Sequence, residues 1–160
     1  MIIDCSYFNV QHMWRDPEMW GDDDFKIVSS MKYYDGVDYH GGTDMSVYDE
    51  EKSKPRFLIH IPTEEIGYVS GCVSYFNISD TIRVRGLFVK KRFRGRGIAE
   101  DLLRRVIHEI PKGNLVWALA GPNSMRVHEK VGFVPVTEKY HQMPDGNVSK
   151  HHNCYMRYDT

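Results

Sequence analysis

Between positions 81 and 110 the hydrophobic pattern changes its period once, and that change restricts the chain to folds in which a strand feeds directly into a helix. Residues 81–89 are rich in β-branched and aliphatic side chains and read as a strand. Residues 98–110 put Ile98, Ala99, Leu102, Leu103, Val106, Ile107 and Ile110 at the 3.6-residue spacing of one helical face. Glu100 with Arg104 and Asp101 with Arg105 form i,i+4 pairs on the wet side. Pro111 and Gly113 stop the helix.

The flanking segments extend this unit into an α/β domain. Residues 56–61 and 66–76 read as strands joined by a turn at 62–65, and a second turn at 77–80 leads into the strand 81–89, so the three form an antiparallel meander. Ile82 and Val84 share one face of that third strand, while Leu87 and Val89 are out of phase with them. One extra residue at Gly86 restores the phase, which predicts a β-bulge there. Residues 114–120 form a short apolar run, read as a buried strand beside 81–89. Pro122 and Gly132 bracket a second helix over 123–131, and 133–140 and 153–158 read as closing strands. The order βββ-α-β-α-β-β implies a mixed sheet. Upstream, residues 7–20 read as a short helix broken near Pro17, residues 25–34 as a second helix behind Asp22, Asp23 and Asp24, and residues 35–53 as a long Gly-, Asp- and Tyr-rich loop.

Composition narrows the function classes. A length of 160 residues is that of one domain, and 41% hydrophobic with 27% charged residues is globular. The formal net charge of −1 argues against a dedicated nucleic-acid partner. That total conceals a polarity: residues 1–51 hold twelve acids and three bases, and residues 83–130 hold twelve bases and four acids. Such asymmetry suggests two surfaces for partners of opposite charge, or simply solvated charged faces. No apolar run is long enough for a membrane span. The first residues lack the basic and apolar regions of a secretory signal, and Cys5, Cys72 and Cys154 are too scattered for a disulfide framework. A reducing cytoplasm is the expected location. His151 and His152 lie near Cys154, but neighbours on a strand point to opposite faces, so no metal is expected.

The chemistry concentrates between strand and helix, in Val89-Lys90-Lys91-Arg92-Phe93-Arg94-Gly95-Arg96-Gly97-Ile98-Ala99. The first amides of a helix are unsatisfied donors at its positive end. Gly95 and Gly97 let that backbone approach a ligand closely, and Arg92, Arg94 and Arg96 suit phosphate oxygens. The physical reading is a pyrophosphate cradle. A solvated basic loop or an RGG-like RNA contact is the plainer alternative for the loop by itself. The spacing is neither a Walker loop nor G-x-G-x-x-G.

Arg92-x-x-Gly95-x-Gly97 is similar to the Q/R-x-x-G-x-G/A signature of acyl-CoA-dependent N-acyltransferases, and the chain here resembles the GNAT (Gcn5-related N-acetyltransferase) superfamily. A second block from Asn123 through Ser124, His128, Glu129, Lys130 and Gly132 to Phe133 resembles that family's helix-then-strand motif. The family's Asn three residues before the Ser falls on Gly121, with Asn123 displaced. The resemblance covers residues 56–140. It implies a single GNAT-like domain over 1–160, with 1–55 as a variable acceptor-side segment, 56–140 as the core and 141–160 as a C-terminal strand. The sheet is then mixed but mostly antiparallel, with splayed central strands flanked by helices.

The same resemblance implies an enzyme that moves an acetyl group from acetyl-CoA to a primary amine by direct attack. The acceptor is a small amine or amino-acid-like molecule, or alternatively a protein Lys or N-terminal amine. A CoA-binding module without catalysis is a third reading. Leu87, Phe88, Val89, Arg92, Arg94, Gly95, Arg96, Gly97, Ile98, Ala99, Asn123 and Ser124 would contact acetyl-CoA. His128 stands where the family often has a Tyr and is the candidate general acid. Asp80 and His60 are candidate bases, since an amine with a pKa near 10 must lose a proton. Glu65 at the 62–65 turn is a further candidate base, and Tyr155 near the C-terminus could line the cleft. The acidic first third would attract a cationic acceptor. The implied partners are small-molecule or peptide amines, with no nucleic acid or membrane, and a homodimer is compatible with this reading.

Overall fold

A computed structural model describes residues 1–6, 56–64, 69–78, 80–122, 124–136 and 154–160. The two upstream helices, the 35–53 loop, Asn123, Glu65 and the His151-His152 pair lie outside the described residues. The described elements are β1 (Ile2–Ser6), β2 (Arg56–His60), β3 (Gly71–Ile78), β4 (Thr81–Val89), a 3-10 turn (Lys91–Phe93), α1 (Ile98–Glu109), β5 (Leu115–Ala120), α2 (Met125–Val131), β6 (Val134–Pro135) and β7 (Cys154–Asp159). They form one sheet in the order β1-β2-β3-β4-β5-β7-β6. Only β4 and β5 pair in parallel; the other neighbours are antiparallel.

Strand β1 is an addition to the elements read from the sequence. Five residues carry too little pattern to announce a strand, and β1 is set by pairing with β2, from Ile2 opposite His60 to Ser6 opposite Arg56. The strand expected over 133–140 is a two-residue bridge, Val134–Pro135, among the described residues. The second helix begins at Met125, with Pro122 in the preceding turn.

One face of the sheet carries both helices. Helix α1 buries Ile98, Leu102, Leu103 and Val106 against Leu58 and Val73 of the meander and Val84 of β4. Leu102, Leu103 and Val106 have no exposed surface, and burial of each contributes about 1.5–3 kcal/mol. The backbone turns extended at Ile110, and Pro111 prevents continuation. On the wet side Glu100 accepts from Arg104 at 2.8 Å as expected. The Asp101–Arg105 pair does not form. Arg105 points the other way, to Glu109 at 2.8 Å, because that carboxylate is already fixed by the Tyr75 hydroxyl at 2.7 Å.

The bulge expected at Gly86 is present. Cys72 pairs with Phe88 and Ser74 with Arg85, so Gly86 and Leu87 together oppose Val73. Gly86 adopts φ +66°, the left-handed conformation open to glycine at least cost. The extra residue returns Leu87 and Val89 to the core face shared by Ile82 and Val84. Side chains of β3 cover the carbonyls at the irregularity: Ser74 Oγ donates to Arg85 O at 2.8 Å, and Cys72 Sγ lies 3.7 Å from Gly86 O. Among the described residues no helix is long and apolar enough to cross a membrane.

Candidate active site

Strands β4 and β5 pair only over Ile82–Val116, Arg83–Trp117 and Val84–Ala118. Beyond Val84 no register continues to β5, so the strands part where the bulge bends β4. The opening runs into a cleft of about 640 Å³. Its strand wall is Leu87, Phe88 and Val89, its floor the loop through Phe93, Arg94, Gly95 and Gly97, and its helical wall Ile98, Ala99 and Glu100. The other side comes from Gly121, Pro122, Ser124, Val127 and Lys130.

The loop is tightly braced behind the cleft. Lys90 N–H donates to Ser70 O at 2.8 Å, and Phe93 N–H to Lys90 O at 2.9 Å. Arg94 Nε donates to Val89 O at 2.8 Å, leaving the rest of its guanidinium fork directed along the cleft wall. Gly97 precedes the first turn of α1 with φ +79°, and Gly95 has φ +80°. A Cβ at either position would meet nothing within 4 Å. The open space over two left-handed glycines, beside the unsatisfied amides of a helix start, fits a phosphate group. The residues present therefore suit the acyl-CoA that the sequence motif implies.

Three arginines do not act alike. Arg94 lines the cleft. Arg92 and Arg96 do not; their guanidinium carbons sit 4.3 Å and 5.3 Å from the ring centre of buried Phe93. Arg96 also donates to Glu64 at 2.7 Å. The Glu64 carboxyl is held below its ordinary value by its own backbone N–H and by Arg96. Phe93, an apolar side chain inside a basic run, is thus the anchor of the loop, and that mismatch was its signal in the sequence.

The proton-transfer candidates are not gathered at the cleft. His128 is 3% exposed and absent from the lining. Its Nδ1 lies 2.7 Å from Ser124 O, and its ring meets Phe133 edge-on at 5.1 Å. Burial lowers its pKa, only partly opposed by the hydrogen bond to Ser124. The neutral ring therefore donates from Nδ1 and steadies the turn that carries Ser124. Asp80 is exposed in the β3–β4 turn with φ +58°. Nine strand steps separate it from Val89, roughly 30 Å. His60 shares a lateral row with Gly71 and Val89, but its Nδ1 is bonded to Ser70 Oγ and it does not line the cleft. Burial lowers its pKa, aided by the nearby terminal ammonium. Among the described residues there is no cluster able to hold a metal ion.

The model of the acetyltransferase (GNAT) family matches residues 11–133. The chain belongs to the GNAT acetyltransferase family. No curated protein matches the sequence. Solved structures share the GNAT fold at low identity. Escherichia coli ElaA is 12% identical with a TM-score of 0.56, over 99% of each chain. An acyl-CoA N-acyltransferase from Pseudomonas aeruginosa is 13% identical with a TM-score of 0.58, over 98% of this chain and 97% of that one. Rv2747 from Mycobacterium tuberculosis, in complex with CoA, is 15% identical with a TM-score of 0.50, over 65% of this chain and 75% of that one.

As a GNAT protein the chain is an acyl-CoA-dependent N-acyltransferase, and amines are the acceptors of this family. Of the contacts expected from the sequence, Leu87, Phe88, Val89, Arg94, Gly95, Gly97, Ile98, Ala99 and Ser124 line the GNAT cleft. Phe93, Val127 and Lys130 line it as well, although none was among the expected contacts. Their signal was weak because a pocket wall in three dimensions draws on residues far apart in sequence.

Proposed function

We propose that the protein transfers an acetyl group from acetyl-CoA to the primary amine of a small amine or amino-acid-like molecule. The observation that carries this reading is the end of β4–β5 pairing at Val84 and Ala118, directly beside the glycine cradle. Past Val84 the backbone of Leu87, Phe88 and Val89 borders the cleft where the register with β5 has ended. A strand backbone in that position can lie along an extended thioester arm and polarise its carbonyl. The amine nitrogen attacks that carbonyl carbon, the C–S bond breaks, the sulfur leaves as CoA thiolate and takes a proton, and the amine gives one up. The protein's share is chiefly positioning and electrostatic stabilisation. Arg94, Gly95, Gly97 and the start of α1 take the pyrophosphate. His128 supports the Ser124 turn, so its contribution is to positioning.

The twelve acids against three bases in residues 1–51 support a cationic acceptor. The experiment is a panel of small amines, amino acids and short peptides with free CoA release as readout. Turnover with small amines is expected. Turnover confined to peptide Lys or N-terminal amines would move the acceptor to proteins. Acetyl-CoA binding with no turnover on any amine would leave a binding module.

A further inference from the structure

A second cavity, of about 460 Å³, opens at the other end of β4 and α1 from the acyl-CoA cleft. The two share no lining residue. Ile82 borders one and Val89 the other, about 20 Å apart along β4. The end of α1 contributes Glu109, Ile110 and Pro111, and three strands contribute Asp4, Arg56 and Tyr75. The volume is that of a small-molecule site, which spans about 300–1,000 Å³.

The charges in this cavity are not equally available. Both oxygens of Glu109 are taken, Oε2 by the Tyr75 hydroxyl at 2.7 Å and Oε1 by Arg105 Nε at 2.8 Å. Asn114 is fixed by its Nδ2, which donates to Pro111 O at 2.7 Å. Arg56 Nη2 donates to Asp4 Oδ1 at 2.7 Å, yet the two side chains remain 52% and 33% exposed. That bond uses one of five guanidinium hydrogens and one of two carboxylate oxygens. The cavity therefore presents a cation and an anion side by side, each with hydrogen-bonding capacity left, next to apolar Ile82, Ile110 and Pro111.

This pattern selects among small ligands. A plain amine on Asp4 brings its ammonium against the Arg56 guanidinium, and a plain carboxylate on Arg56 meets Asp4; like charges oppose both. A free α-amino acid carries both charges on one carbon. Its carboxylate lies on Arg56 and its ammonium on Asp4, as two ion pairs set head to tail. The carbonyl end of α1 is the negative end of the helix dipole and favours the ammonium further. We propose that this cavity binds a free α-amino acid with an apolar side chain, at a site separate from the one where acyl transfer takes place. It does not depend on which amine is the acceptor.

The test titrates three probes into the full chain and reads affinity from amide shifts in NMR. They are L-leucine, isoamylamine (leucine without its carboxylate) and 4-methylpentanoate (leucine without its ammonium). L-Leucine is expected to shift the signals of Asp4, Tyr75 and Asn114, and to bind there about tenfold or more tighter than either analogue, the scale of one charge-assisted hydrogen bond. Salt should weaken it, because the ion pair is open to solvent. Asp4→Asn keeps an acceptor for Arg56, and Arg56→Gln keeps a donor for Asp4. Each should lower leucine affinity about tenfold or more with the far-UV circular dichroism of wild type, and either variant, once folded, decides the matter. Gly97→Trp should leave leucine binding unchanged. Equal binding of leucine and one of its analogues overturns the proposal, as does leucine binding that survives in a folded Asp4 or Arg56 variant. So does an absence of shifts at millimolar leucine. Shifts at Leu87 and Ser124 in place of those at Asp4 and Tyr75 also overturn it, because they put leucine in the acyl-transfer cleft.

Discussion

Arg94 Nε donates to the carbonyl oxygen of Val89 at 2.8 Å. The bond folds the loop back on the end of the strand it has just left. One side chain thereby braces the loop and contributes to the cleft lining, its guanidinium carbon 5.7 Å from the ring centre of Phe88 in the cleft wall. Arg94→Ala removes both functions. We expect the thermal shift induced by acetyl-CoA to fall and KM for acetyl-CoA to rise about tenfold or more. Arg94→Lys should recover little, because an ammonium cannot bond the carbonyl and face a phosphate with one planar fork. An unchanged KM in Arg94→Ala would remove this residue from the site.

Gly97 separates ligand binding from folding. Its φ of +79° costs another residue about 1–2 kcal/mol, yet a Cβ there touches nothing. Gly97→Trp should therefore fold with a modest loss of Tm and lose the acetyl-CoA shift altogether. A retained shift would place the pyrophosphate elsewhere.

Gly71 is constrained by space. A Cβ at this position would lie 2.8 Å from Phe88 O and 3.2 Å from a Val89 methyl. The obstacle is backbone in the cleft wall, so it cannot swing aside. Gly71→Ala should cost about 1–3 kcal/mol, and each 1 kcal/mol lowers Tm by about 2–4 °C for a chain of this size. A Tm equal to wild type would show that β3 and β4 can part locally without penalty.

Acid should weaken the fold through the buried imidazole of His128 and the half-buried one of His60. Burial is the main cause holding the pKa of both His60 and His128 below the ordinary 6.5. Below about pH 6.5 the unfolded chain binds more protons than the folded one, so this stability is complete above that pH and is lost as pH falls through it. Tm should drop between pH 7.5 and 5.5, and His128→Gln should flatten the drop. An identical pH slope in the variant would show that His128 titrates alike in both states.

Much of the fold was legible because it is written in local periods. Seven apolar residues from Ile98 to Ile110 announce a helix, and the phase error between Val84 and Leu87 announces the bulge. Strand β1 was hidden because its existence depends on a partner strand fifty or more residues away. The fate of Arg105 was hidden for a similar reason, since Tyr75, thirty residues upstream, decides which carboxylate stands ready.

The site divides along the same line. Glycines ahead of a helix and the basic run that leads into them are chain-local facts, so the cradle and the class of ligand could be read from residues 89–99. Which arginine faces the cleft, and which residues stand far from it, are matters of packing. Phe93 takes Arg92 and Arg96 onto its ring, Glu64 claims Arg96, Ser124 claims His128, and a full strand length removes Asp80. The sequence by itself determined the elements, their order and the phosphate-seeking backbone, because these follow from short-range sterics and hydrophobic spacing. The tertiary structure decided which charged groups remain available to a ligand, because that depends on competing partners brought together only when the sheet and α1 close.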